Sequence, residues 1–246
     1  MTEKLELRPY QATALSDIRS LYAQNKKKVL LWLPTGAGKT LIFCRILKSV
    51  FEKGKKGILV LRGVELVNQA SQRLMKEGVP HGVMQANHPG FNPFAAIQIV
   101  SVDTAYRRRI APEADIVVVD EAHLASSESF RWFLSQYEKG FYLAVSATPT
   151  IKSGLRHIAD HVVHPVGFRD LVEQGYLCPP RYFAPSCIDL SGVGIRDGEY
   201  VNEDLESAYD STNIYADIVK NYIQHGENRP AVCFAINRKH SRQIRD

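Results

Sequence analysis

Short apolar runs recur along the chain with no polar residue alternating through them. Examples are "VLLWL" at 29–33, "ILVL" at 58–61, "IVVV" at 116–119 and "FYLAVSA" at 141–147. A strand with one face in water alternates, whereas a strand covered on both faces does not. Between the runs lie segments with helical spacing. In "RPYQATALSDIRSLYAQ" the apolar positions are Ala14, Leu15, Ile18, Leu21 and Tyr22, and "LIFCRILKSVFEK", "VELVNQASQRLMKE" and "SSESFRWFLSQYEK" read the same way. "AIQIVS" adds a strand and "DTAYRR" a short helix. Buried strands separated by amphipathic helices specify an α/β fold, a parallel sheet with helices on both faces.

At 246 residues and 45% hydrophobic, the chain has material for one full core and a smaller second unit. The alternation loses its regularity near Pro165, which divides the chain into 1–165 and 166–246. The second part opens with a short helix in "FRDLVEQG", a Cys-Pro-Pro break and one strand. A Gly-containing acidic connector follows, then the helix "NIYADIVKNYIQHG", an apolar strand over Ala231 to Ala235 and a basic helix from Arg238.

No apolar run approaches the length needed to span a bilayer, and "MTEKLELRPYQ" lacks the apolar stretch of a signal peptide. A soluble, cytoplasmic protein is expected. The net charge of +5, with basic clusters at Lys26 to Lys28, Lys53 to Lys56 and Arg107 to Arg109, mildly favours an anionic partner. Cys44, Cys178, Cys187 and Cys233 form no C-x-x-C pair and read as buried thiols.

"LWLPTGAGKTLIF" places a buried strand, a tight loop and a helix in that order. Backbone N–H groups from Gly36 to Thr40 would wrap phosphate oxygens at the helix N-terminus, where the helix dipole favours anions. Lys39 would reach the β- and γ-phosphates, and the Thr40 hydroxyl would ligate Mg²⁺. Gly36 and Gly38 permit torsions and an approach that a side chain obstructs. The pattern G-x-x-x-x-G-K-S/T asks for Gly at 33, where this chain has Leu33; the shorter P-T-G-x-G-K-T form fits, with Pro34, Thr35 and Ala37 completing the loop.

"DIVVVDEAHLA" places Asp120 and Glu121 at the C-terminal end of a buried strand, the edge where parallel sheets bind ligands. Asp120 suits the Mg²⁺ shell, and Glu121 suits orienting or deprotonating an attacking water. His123 would couple the site to a neighbouring lobe.

These segments resemble the superfamily 2 helicases and translocases with DEAD/DEAH-type boxes. "PTGAGKT" matches motif I, "VVDEAH" motif II, and "SATPT" motif III through Ser146, Ala147 and Thr148. "LRPYQ" resembles the Q-type motif, "LVLRGVELVNQ" motif Ia, "IVSVDTAYRR" motif Ib and "AVCFAINRKHSRQI" motif IV, while "FRDLVEQGYLCPP" resembles a segment of RadD-type and related duplex-DNA translocases. The resemblance implies a RecA-like P-loop NTPase lobe followed by the start of a second RecA-like lobe. It implies an ATP site with Arg8 and Gln11 at the adenine, catalytic Lys39, Asp120 and Glu121, and Ser146 and Thr148 coupling the lobes. It implies a nucleic-acid partner, DNA in preference to RNA, tracked by Arg62, Gly63, Ser101 and Thr104. Short polar side chains and backbone amides suit such sequence-independent contacts.

The family's second lobe supplies arginine fingers, and no Q-x-x-G-R-x-x-R pattern occurs here. Such fingers contribute on the order of 10³ to 10⁵ in rate, so this chain alone is expected to turn over ATP slowly until a second lobe, in cis or trans, completes it. The alternative is a short nucleotide- or nucleic-acid-binding regulator or split-motor subunit without turnover of its own. "HIADHVVH" also sets His157, His161 and His164 at i, i+4 and i+7, a helical face that a metal would need completed by a further ligand. The plainer reading is three polar residues on an exposed element.

Overall fold

The computed structural model describes residues 6–148, 158–183, 190–196, 199–201, 203–205, 208, 214–235 and 237–245. The chain divides into two compact units, Met1–Pro179 and Pro180–Asp246. The first unit thus extends past residue 165, because the elements that follow Pro165 still pack on its core.

The first unit runs α1 (Pro9–Ala23), β1 (Lys28–Trp32), α2 (Lys39–Glu52), β2 (Gly57–Leu61), α3 (Val64–Lys76), β3 (Gly82–Met84), β4 (Ile97–Ser101), α4 (Val102–Arg108), β5 (Ile116–Val119), a 3-10 turn (Ala122–Ser126), α5 (Glu128–Ser135), β6 (Phe141–Ser146), β7 (His161–Val163) and α6 (Phe168–Glu173). The seven strands form one sheet in the order β3-β4-β2-β5-β6-β1-β7. Every neighbouring pair is parallel.

Both sheet faces are buried, as the unbroken apolar runs require. On one face Val29, Leu31, Leu59 and Val118 pack with Ala14 and Ile18 of α1, Phe43 and Leu47 of α2, and Leu171 of α6. On the other, Leu30, Ile58, Val60, Val117 and Val119 pack with Phe130 and Phe133 of α5. Each such Val, Leu, Ile or Phe side chain contributes roughly 1.5–3 kcal/mol by leaving water, before the entropy of ordering is set against it.

Two strands of this sheet were not expected from sequence. β3 and β7 are each three residues long, too short for any periodicity to register. β7 is a strand because its backbone pairs with Val29 to Leu31 of β1, so His161 and His164 do not share a helical face. His164 instead stacks on Trp32 with ring centroids 4.0 Å apart, its Nδ1 2.8 Å from the Trp32 carbonyl. His157 lies outside the described residues. Among the described residues no cluster of His, Cys, Asp or Glu could hold a metal on its own. At the far edge of the sheet the Val83 N–H donates to the Gly90 carbonyl at 2.9 Å, so a loop closes β3 on its outer side.

The second unit contains a two-stranded antiparallel hairpin, β8 (Ile195–Arg196) and β9 (Glu199–Tyr200), inside the acidic connector. The helices α7 (Ile214–His225) and α8 (Arg238–Arg245) follow. The apolar stretch Ala231–Ala235 is not a strand: no described strand runs beside it to accept its hydrogen bonds, and Val232 and Phe234 are 80% and 93% exposed. Ile236 lies outside the described residues, as does Cys187. Cys44 is buried, but Cys178 and Cys233 are exposed, since they sit on irregular segments with no core beneath them. Among the described residues no helix is long and apolar enough to cross a membrane.

Candidate functional site

The parallel sheet brings the C-terminal ends of β1, β5 and β6 side by side. Trp32 pairs with Ser146, and Val119 with Ala144. Just past these ends lie the loop 33–38, the pair Asp120 and Glu121, and the segment Ser146 to Thr148. Residues far apart in sequence are thereby collected at one edge.

The Leu33 N–H still reaches the Ser146 carbonyl at 3.2 Å, and the chain leaves the sheet at Pro34. Thr35 is exposed and Ala37 is buried. Gly36 and Gly38 have φ of +81° and +78°, a region that costs other residues roughly 1–2 kcal/mol. A Cβ on Gly36 would lie 2.8 Å from Leu177 Cδ2, and one on Gly38 2.5 Å from Gln11 Nε2. Gly38 caps α2 without any side-chain hydrogen bond, so the first amides of α2 stay available to an anion. Thr40 lies exposed in that first turn.

The Lys39 ammonium is folded onto the loop, donating to the Leu33 and Pro34 carbonyls at 3.2 Å each. Burial lowers its pKa, opposed by the charges of Glu121 and Asp120. Burial pushes the Asp120 carboxyl up to about 6, with the Glu121 charge adding to the rise. The Glu121 N–H, together with Lys39 and His123, opposes that rise. Glu121 adopts a left-handed φ of +48°, and its N–H donates to Asp120 Oδ1 at 2.9 Å. His123 Nδ1 stands 3.3 Å from Glu121 Oε2 without hydrogen-bond alignment. Ser146 is fully buried, and its Oγ accepts the Thr148 N–H at 3.1 Å.

The start of α1 is tied to the same loop. Gln11 accepts the Arg8 N–H at 2.9 Å and donates to the Ala37 carbonyl at 2.9 Å. Tyr10 donates its hydroxyl to the same carbonyl at 2.9 Å and accepts from Arg8 Nη1 at 3.0 Å. A cleft of about 250 Å³ lies here, with Arg8, Gln11, Gly36, Gly38, Thr40 and Arg73 in its walls. Arg73 is held at 3.1 Å by the buried Glu77, which also pairs with Arg45. Tyr10, Arg73, Tyr176 and Leu177 were not expected at the site. Tyr10 adjoins the motif residue Gln11, but the other three come from α3 and from beyond α6, and nothing in their own segments announces the contact.

The expected nucleic-acid residues lie one strand over, where Leu61 at the end of β2 pairs with Ser101 at the end of β4. Arg62 turns inward: its Nη2 donates to Ser129 Oγ at 2.6 Å and Ser127 Oγ at 3.1 Å, and lies 3.5 Å from Asp103. Gly63 is exposed with φ +95°. Ser101 is buried, and Thr104 Oγ1 accepts the Ala86 N–H at 3.3 Å. In the following basic cluster, Arg108 donates to the Ala86 carbonyl at 3.0 Å and Arg109 lies 4.1 Å over the Tyr106 ring.

Residues 4–151, more than half of the chain, match the ResIII family, described as type III restriction enzyme, res subunit. The chain belongs to the ResIII family. Its first unit, a parallel sheet covered by helices on both faces, has the fold of a RecA-like lobe. This ResIII chain is similar to a 51.5 kDa protein of Lactococcus phage (isolate 7-9), 24% identical over 205 residues that make up 82% of this chain and 42% of that protein. It is similar also to the DNA 3'-5' translocase XPB2 of Sulfurisphaera tokodaii, 26% identical over 175 residues, 70% of this chain and 37% of the relative. The chain therefore spans less than half the length of these relatives. Among solved structures, the Sulfolobus solfataricus SWI2/SNF2 ATPase core in complex with dsDNA shares the fold with a TM-score of 0.53 at 19% identity, over 64% of this chain and 36% of that one.

Proposed function

We propose that this chain supplies the ATP-binding lobe of a nucleic-acid-dependent ATPase, a helicase or translocase acting on DNA. The observation that carries the reading is the loop of Gly36 and Gly38 with Lys39 behind it, facing Asp120 and Glu121 across the strand ends. Phosphate oxygens would take the amides of 36–40, drawing the Ala37 N–H off the Pro34 carbonyl and the Lys39 ammonium off its two loop carbonyls. Gln11 keeps one N–H and one acceptor lone pair beyond its two intrachain bonds. That is the complement of an adenine edge, which offers N6–H and N7.

The residues fit a magnesium ion. Thr40 and Asp120 are hard oxygen donors, few in number, as suits an ion that keeps most of its waters. A buried carboxyl held at a raised pKa beside a second carboxylate also gains from a nearby cation. Held by Thr40 and Asp120, a magnesium ion would supply neutralisation of phosphate charge at this site. Glu121, aimed by its left-handed backbone, would take a proton from the attacking water, and Asp120 would remain ionised. Ser146, Thr148 and His123 border this carboxylate pair and are assigned to passing its state onward.

Gly63, Ser101 and Thr104 are assigned to one phosphate track along the ends of β2 and β4. Arg62, engaged by the two serines, shapes that track more than it touches DNA. Family membership and the translocase and ATPase named among the similar proteins support a motor over a binding regulator without turnover.

The test is calorimetric titration of a non-hydrolysable ATP analogue with magnesium, alongside single- and double-stranded DNA and RNA binding across a salt series. Micromolar analogue binding abolished by Lys39→Ala, with DNA binding retained and falling steeply with salt, is the expected result. Absence of analogue binding in the unmodified chain would overturn the reading.

A further inference from the structure

Three side chains from two distant segments meet at the base end of the cleft. Gly175 ends α6 in a left-handed conformation with φ +72°. Its N–H bonds to the Val172 carbonyl at 3.0 Å, and the next N–H, that of Tyr176, bonds to the Leu171 carbonyl at 2.8 Å. This is the Schellman arrangement, which fixes the backbone beyond a helix end. Leu171 is fully buried, so the motif anchors Tyr176 to the core. From there the Tyr176 ring lies 4.5 Å beneath the Arg8 guanidinium and edge-to-face with Tyr10 at 5.7 Å. Leu177, the next residue, reaches Gly36 in the phosphate loop.

Arg8 is thus gripped twice. Tyr10 holds its edge, and Tyr10 is itself bonded to Ala37 of the loop. Tyr176 holds one face. Arg8 forms part of the cleft wall, and the Tyr176 ring covers one face of its guanidinium. A planar guanidinium with one face backed by an aromatic ring offers its other face for stacking.

We propose that Tyr176 is a positioning residue of the nucleotide site: it braces Arg8 so that the guanidinium presents a flat wall against which a purine base stacks. The inference rests on the nucleotide reading above. It also assigns the stretch Gly175 to Leu177 to the site, with Tyr176 as the support of the Arg8 wall and Leu177 as a phosphate-loop contact.

The test compares binding of a non-hydrolysable ATP analogue with binding of inorganic tripolyphosphate, both with magnesium, by calorimetry. Tyr176→Ala should weaken the analogue about five- to tenfold, the scale of a lost cation–π brace, and leave tripolyphosphate within about twofold. Tyr176→Phe should restore the analogue. Tyr176→Leu, which keeps apolar bulk, should behave like Tyr176→Ala, and it serves if the alanine variant does not fold. On an Arg8→Ala background, Tyr176→Ala should add nothing further. Equal losses for both ligands, no loss for either, or losses additive with Arg8→Ala would overturn the proposal. An unmodified chain that binds tripolyphosphate but gains nothing from the base and ribose would overturn it too. One that binds neither ligand would instead refute the nucleotide site itself.

Discussion

Asp120→Asn should make the metal-free protein more stable at neutral pH while disabling its site. Burial lifts the Asp120 carboxyl from 3.8 to about 6. At about 1.4 kcal/mol per unit, holding it ionised costs the fold up to about 3 kcal/mol. Its partial exposure lets water screen the charge, so about 1.5–3 kcal/mol is the working range. The sign follows from proton linkage. The folded-state pKa lies above the unfolded one, so between the two values the folded state binds more protons and stability falls as pH rises. The penalty is absent well below pH 4 and complete above about pH 7. The amide cannot ionise, yet its oxygen still accepts the Glu121 N–H. Lys39 loses a counter-charge, which trims the gain. Urea unfolding followed by circular dichroism, with EDTA, from pH 4 to 8, should give a variant-minus-parent difference that grows from near zero to about 1.5–3 kcal/mol. Magnesium with an ATP analogue should then stabilise the parent and not the variant. A difference independent of pH, or a variant less stable at pH 8, would refute the reasoning.

Gly38→Ala forces a Cβ to 2.5 Å from Gln11 Nε2 at φ +78°; unfolding titrations should show a loss of about 1–2 kcal/mol and calorimetry weaker analogue binding with Lys39 intact. Arg62→Ala removes two serine hydrogen bonds and a face contact with Phe130, so stability should drop by about 1–3 kcal/mol. Its DNA salt slope should stay unchanged, against a fall of about one had Arg62 held a phosphate. Cys178 and Cys233 should react rapidly with a thiol reagent at pH 8, while Cys44, buried and with its thiol pushed up to about 12, should react only on unfolding.

What the sequence disclosed was what is local. Unbroken apolar runs such as Val29 to Leu33 announce strands covered on both sides, and the loop chemistry of Gly36 to Thr40 lies within a few residues. β3, β7 and the hairpin at Ile195 were illegible because two or three residues carry no period; their neighbours decide them. Ala231 to Ala235 had the composition of a strand but no partner strand among the described residues. His161 had helical spacing, yet the open edge of β1 claimed its backbone. Within the site, residue type pointed Arg62 toward phosphate, whereas Ser127 and Ser129, which hold it, belong to a segment with no apparent link. Tyr176 was hidden for the same reason: its partner Arg8 lies at the other end of the unit.

The loop that closes β3 has a bearing on solubility. An exposed edge strand is a template on which other chains add. Here the Val83 N–H is already satisfied by Gly90, and the Asn92 carbonyl sits so close over Gly82 that a Cβ there would lie 2.1 Å from it. Glycine at 82 therefore lets the protein wear its own loop as a guard. A single added methyl at that position would force the loop to shift and loosen the cover over this sheet edge.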